Sequence, residues 1–301
     1  MANQAVTTPE MLDTATLARL SSMELLARTV VEGFILGLHK SPYRGFSVEF
    51  AEYRNYVPGD DVKHIDWKVY AKTDRHYIKL FEEETNLACY VLLDASASMG
   101  YGSGPLTKLG YAARLAACLV YFMMGQRDAA GLAVFDTQLR SFAPARLRPS
   151  HLLHLINTLE NTKPGGDTVL AQPIHHIAET IKRRGLVVLI SDLLSDPEPL
   201  AQSLQHLKFV GHDAVVFQVL DAHELEFPFE TLTEFTDLET GRKLRTTGRT
   251  ARQMYLQEFQ AHQKTIHDML ADMKIDYALF DTRMPLDFAL AEYLYRRGRA
   301  G

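Results

Sequence analysis

Apolar positions along this chain change rhythm near residue 87. From there, unbroken apolar runs of strand length alternate with longer stretches whose apolar residues recur at helical spacing. The runs are "LACYVLLD", "AAGLAVFD", "GLVVLISD", "DAVVFQVLD" and "DYALFDT", with a further short strand expected around Leu139–Phe142. Between and after them the pattern predicts helices over 107–125, 149–160, 169–184, 197–208, 249–273 and 285–297. Strands that are apolar at every position must be covered on both faces. The expected fold class is therefore α/β: a doubly wound, mostly parallel sheet over residues 87–301.

The first 86 residues read differently. Helical periodicity is predicted over 9–20 and 22–39, the second being "SMELLARTVVEGFILGLHK". Its apolar stripe needs a surface to cover, so segment 1–86 is expected to pack on the α/β core rather than stand apart. "VPGDD" carries Pro58–Gly59, a pair suited to the centre of a type II turn, and "HYIKLFEE" alternates like a half-exposed strand. A hairpin insertion is expected near 227–247, where "ETGR" marks the turn. It is expected to join the strand near residue 78 in a small side sheet.

Composition narrows the function classes. A chain of 301 residues, 47% of them hydrophobic, can bury a full core without staples. The net charge of -5 lacks the basic surplus of a general nucleic-acid binder. Cys89 and Cys118 both sit in apolar segments and read as buried free thiols, which fits a reducing compartment. The longest apolar run, "LAACLVYFMMG", is about half a membrane span, and the N-terminus lacks a basic region followed by an apolar one. A soluble, cytoplasmic chain without membrane insertion is expected.

The chemistry lies where the apolar runs end. "VLLDASASMG" places Asp94, Ser96 and Ser98 at alternate positions with only alanine between them, and "VLISD" ends in Asp192. Thr168 arrives in the loop "KPGGDTVL". In an open α/β sheet, ligands bind outside the carboxyl ends of the strands. Asp94, Ser96, Ser98, Thr168 and Asp192 are all hard oxygen donors, and Mg²⁺ takes six oxygens while keeping some waters. Two carboxylates balance a double charge, and a free coordination position suits an incoming carboxylate. Each residue also has a plainer reading: Asp94, Ser96 and Thr168 as helix caps, Asp192 as a strand end. The combination favours the metal.

The order D-x-S-x-S, then Thr in a Gly-rich loop, then Asp after a later strand resembles the metal-ion-dependent adhesion site of von Willebrand factor A domains. The preceding stretch, "SPYRGFSVEFAEYRNYVPGDDVKHIDWKVYAKTDRHYIKLFEEETN", is similar to the signature of the bacterial family called domain of unknown function 58. The resemblance implies Asp94, Ser96, Ser98, Thr168 and Asp192 as metal ligands, with Mg²⁺, Mn²⁺ or Ca²⁺ bound. It also implies an adaptor or co-chaperone role beside a MoxR-type AAA+ ATPase or its client. Many relatives have Thr-Asp in the Gly-rich loop; here the order is Asp167–Thr168, so Thr168 remains the better ligand candidate and Asp167 is its competitor.

Other motifs carry less. "MGYGSG" matches neither the dinucleotide fingerprint nor a phosphate loop, and Ser96 and Ser98 lie in no nucleophile elbow. His151, His154, His175 and His176 have no H-E-x-x-H spacing and read as ordinary surface or packed histidines. Trp67 reads as a buried anchor of the signature segment, and Glu82–Glu84 as a partly solvated strand end. Terminal arginines in "YRRGRAG" suit a helix C-terminus. The expected function is a non-enzymatic, divalent-metal-dependent protein-interaction module. The alternative is a metal-dependent hydrolase such as a phosphatase, which would need a general base beside the ion; Lys108, in the following helix, is the nearest basic residue.

Overall fold

The computed structural model describes residues 23–31, 53–55, 77–79, 88–182 and 184–288. The expectations for the helix at 9–20, the Pro58–Gly59 turn, Trp67, Glu82–Glu84 and most of the last helix lie outside these residues. The chain divides into two compact units, one of residues 37–86 and one of residues 1–36 with 87–301. In the smaller unit, β1 (Tyr53–Asn55) and β2 (Tyr77–Lys79) form an antiparallel pair with Arg54 opposite Ile78.

The larger unit is built on six strands: β3 (Ala88–Asp94), β4 (Ala129–Phe135), β5 (Leu139–Arg146), β6 (Gly185–Ser191), β7 (Asp213–Leu220) and β10 (Asp276–Asp281). Their order is β10-β7-β6-β3-β4-β5; every pairing is parallel except that of the edge strand β5 with β4. The helices are α1 (23–31), α2 (Lys108–Gly125), α3 (Pro149–Asn161), α4 (Ala171–Thr180), α5 (Pro197–Phe209), α6 (Ala222–Glu226) and α7 (Gly248–Asp272). The expected doubly wound, mostly parallel sheet is present.

Alternation along β3 shows why its sequence is apolar throughout. Cys89, Val91 and Leu93 face one core with α2 and α3, while Tyr90 and Leu92 face a second core with α4, α5 and α7. Each side needs an apolar residue, so the strand cannot alternate with polar ones. Helix α1 belongs to the first core: Ala27 and Val31 are buried in it, and the Met23 amide donates to Glu160 Oε1 at 3.1 Å. Cys89 and Cys118 are buried free thiols, and burial pushes the Cys118 thiol up to about 12.

Two boundaries and one pairing differ from the sequence pattern. The edge strand β5 runs to Arg146, beyond the expected Phe142. Helix α4 covers only Ala171–Thr180, because residues before it are drawn into the loop of Thr168 and Ile181 turns into the second core in extended backbone. The insertion does form a hairpin, β8 (Leu232–Thr236) with β9 (Lys243–Thr247). It makes its own two-stranded sheet and does not join the strand near residue 78, which pairs instead with β1.

Candidate functional site at the carboxyl edge of the sheet

Every parallel strand of the sheet ends in aspartate or is followed at once by one: Asp94, Asp136, Asp192, Asp221 and Asp281. The outer ones organise loops. Asp281 takes Arg283, and Asp221 caps α6 while accepting from the Ser103 amide at 2.9 Å and from Thr282 Oγ1 at 3.2 Å. Asp94 and Asp192 stand at the centre, where the chain leaves β3 towards β4 and later returns to β6 on the other side. This is the switch point of the sheet, where crevices open in such folds.

Asp94 is fully buried. Its Oδ1 accepts from the Ser96 amide at 2.9 Å and its Oδ2 from Ser191 Oγ at 2.6 Å. Burial and the nearby Asp192 charge push its carboxyl up to about 7, against these hydrogen bonds. Beyond it the hydroxyls line up: Ser96 Oγ lies 3.1 Å from Ser98 Oγ, which lies 3.3 Å from Thr168 Oγ1. Ser98 opens a short 3₁₀ turn, Ser98–Gly100, that aims its side chain across to the Thr168 loop.

That loop is held by backbone and by charge. The Ala97 amide donates to Gly166 O at 2.9 Å, and the Gly165 amide to Ala95 O at 3.0 Å. Arg140 donates Nε to Asp136 Oδ2 at 2.6 Å, Nη1 to Lys163 O at 2.6 Å and Nη2 to Gly165 O at 2.5 Å. Burial pushes the Asp136 carboxyl up, but the Gln138 amide and the Arg140 guanidinium outweigh it and hold it below the ordinary range. Gly166 has φ +75°, and a Cβ there would sit 2.6 Å from Asp136 Oδ2. Only glycine fits this turn without strain.

On the inner side, Lys108 Nζ bridges Asp192 Oδ2 at 2.8 Å and Glu224 Oε1 at 2.6 Å; the Lys108 and Asp192 side chains are fully buried. Burial works against the ammonium, but the two carboxylates outweigh it and hold its pKa above that of an ordinary lysine. Asp192 Oδ1 accepts from the Leu194 amide at 3.3 Å.

The capping roles are taken by other residues. Helix α2 is capped by Thr107, whose Oγ1 accepts from the Gly110 amide at 3.0 Å, and α4 follows Leu170 without a side-chain cap. The structure thus gathers Ser96, Ser98 and Thr168 beside Asp94, while Asp192 is tied inward to Lys108. Asp167 is exposed, whereas Thr168 is half-buried and in contact with Ser98. Among the described residues, no group of three or more His, Cys, Asp and Glu is placed to hold a metal. The donor set for any ion here is three hydroxyls with two carboxylates, a hard-oxygen set of the kind Mg²⁺ accepts. Neighbouring oxygens on an octahedron with ~2.1 Å arms are ~3 Å apart. The hydroxyl spacings of 3.1 and 3.3 Å fit that edge.

The sequence left several residues here without a role. Ser191, Glu224, Asp136 and Arg140 support the site, and "VFD" at the end of β4 was a signal for Asp136. Glu239, in the turn of the β8–β9 hairpin, accepts a short hydrogen bond from Thr168 Oγ1. The histidines take ordinary places: His151 Nε2 bonds Ala130 O at 3.0 Å, and His175 Nδ1 lies 3.1 Å from His206 Nδ1.

The molecule is thus a doubly wound α/β protein with a cluster of side-chain oxygens at its switch point. It belongs to the family described as protein of unknown function DUF58, whose pattern matches residues 52–265. Uncharacterized proteins of Mycobacterium tuberculosis and Mycobacterium bovis are 28% identical over 227 residues, 74% of this chain and 71% of theirs. Among solved structures, the chain is similar to the conserved hypothetical protein BatB from Bacteroides thetaiotaomicron (TM-score 0.46, 14% identity, 71% of this chain and 99% of that one). It is also similar to the SpRpn10 VWA domain (TM-score 0.41, 13% identity, 70% and 94%). No helix among the described residues is long and apolar enough to cross a membrane.

Proposed function

We propose that this chain is a protein-interaction module whose oxygen cluster at the β3–β6 boundary holds a divalent cation, Mg²⁺ in the first instance. Asp94, Ser96, Ser98 and Thr168 face the ion, and Asp192 adds its charge from below. The observation that carries this reading is the run of three hydroxyls at octahedral-edge spacing next to a buried carboxylate. A buried carboxylate held in its charged form without a counter-ion is costly, and a cation relieves that cost. The ion's outward position then takes an acidic side chain of a partner protein. The family resemblance makes a MoxR-type AAA+ ATPase, or its client, the first partner to test.

The hydrolase alternative gains nothing from Lys108. A general base must shed and accept a proton within reach of substrate. Lys108 is fully buried, protonated and bonded to two carboxylates.

The test is a binding titration of a purified MoxR-type ATPase against the chain and its Asp94→Ala variant at fixed Mg²⁺. The wild type binds and the variant, checked for an unchanged melting profile, does not. Equal binding by both removes the ion from the interaction, and binding by neither removes the ATPase as partner.

A further inference from the structure

The β8–β9 hairpin reaches the site with a single residue. From Thr236 to Arg245 every residue is exposed except Glu239, which is half-buried against Thr168. The turn that carries it is tightly made. Asp237 Oδ1 accepts from the Glu239 amide at 2.9 Å and the Thr240 amide at 3.2 Å. Its Oδ2 accepts from Thr240 Oγ1 at 2.7 Å, and the Gly241 amide, at φ +69°, donates to Asp237 O at 2.9 Å. Two of the hairpin's cations, Lys243 and Arg245, both bond Glu234, at 2.7 and 2.5 Å. Among the described residues Glu239 makes no ion pair, and its carboxylate is turned to the hydroxyl that also meets Ser98.

Through Thr168, a lone carboxylate joins a cluster that already holds Asp94 and Asp192, where carboxylates outnumber the Lys108 ammonium. Such crowding is unfavourable unless a cation joins it. We infer that Glu239 is the chain's own ligand for this site: its carboxylate takes the ion's outward position, which a partner's acidic side chain must capture by displacing it. This rests on the proposed metal site and makes the hairpin a built-in competitor. A partner then needs either a second contact that lifts the hairpin or an affinity above that of a tethered carboxylate, whose effective concentration is in the millimolar range or higher.

The test uses the full chain, stripped of metal and loaded with Mn²⁺, with water-proton relaxivity reporting exchangeable waters on the bound ion. Three proteins are compared: wild type, Glu239→Ala and Ser96→Ala/Ser98→Ala. Glu239 lies in an exposed turn, so its truncation leaves the core untouched, and a melting profile checks this. In Glu239→Ala, relaxivity per bound Mn²⁺ rises because water enters the vacated position, acetate lowers it again, and the Mn²⁺ dissociation constant rises about tenfold. Relaxivity equal to wild type overturns the inference whatever the affinity does, and leaves Glu239 as an anchor of the hairpin alone. If wild type and the double serine variant bind Mn²⁺ identically, the metal site itself fails, and the role of Glu239 with it.

Discussion

Lys108 Nζ lies 2.8 Å from Asp192 Oδ2, and neither side chain touches solvent. At its first residue, α2 therefore delivers a positive charge beneath the site. It neutralises the inner oxygen of Asp192 and, through Glu224, ties the floor of the site to α6. Removing the lysine leaves the buried Asp192 and the partly buried Glu224 without their partner. Lys108→Met should cost about 3–5 kcal/mol of stability, read as a lowered midpoint in denaturant unfolding. A midpoint within error of wild type would mean the pair is absent in solution.

Ser191 supports Asp94 from the neighbouring strand, donating at 2.6 Å. Groups of this kind orient a ligand without touching the ion, and their loss costs roughly 10–100-fold in metal affinity. Ser191→Ala should weaken Mg²⁺ or Mn²⁺ binding by that factor in a calorimetric titration. An unchanged dissociation constant would remove Asp94 from direct contact with the ion.

Gly166 holds the Thr168 loop in a conformation closed to other residues. Gly166→Ala puts a Cβ in the left-handed region and against Asp136. The backbone penalty alone is about 1–2 kcal/mol. The variant should unfold at lower denaturant and bind the ion more weakly, because Thr168 shifts with the loop. A stable variant with weakened binding would place the whole effect in Thr168; no change in either would contradict the loop geometry.

Asp136 gives the structure an acid-sensitive element. Its carboxyl is held below its unfolded value, near 3.9 for a free aspartate, by the Gln138 amide and Arg140. The contribution is present in full above that unfolded value and is lost as the pH falls through the lower folded one. Asp136→Asn should therefore be less stable than wild type at neutral pH by about 1 kcal/mol. The deficit should shrink below ~pH 4, as the native carboxyl also becomes neutral. A deficit independent of pH would assign it to packing instead of charge.

The sheet was legible in the sequence because burial on both faces leaves no room for polar residues. "VLLD" and "LVVLISD" could be little else than central strands, and their terminal aspartates fell at the same edge. The ends of α4 were not legible: Ile181 and Val169 continue an apolar pattern, and only the pull of the Thr168 loop and the second core decides where the helix stops. Nor could the sequence pair Lys108 with Asp192, 84 positions away, or Glu239 with Thr168, 71 away. Both depend on crossovers whose lengths carry no mark of what they bring together. The turn "ETGR" announced a hairpin but not its target, and the strand near residue 78 was already matched to β1.

The central claim is that the three hydroxyls beside Asp94 hold an ion. Calorimetric titration of Mg²⁺ and Mn²⁺ into metal-stripped wild type and Ser96→Ala/Ser98→Ala tests it most directly. Saturable single-site binding in the wild type that disappears in the folded double variant is the predicted result. Identical titrations of the two proteins, or none in either, would contradict the account and leave Asp94, Ser96 and Ser98 as residues that shape the end of a strand.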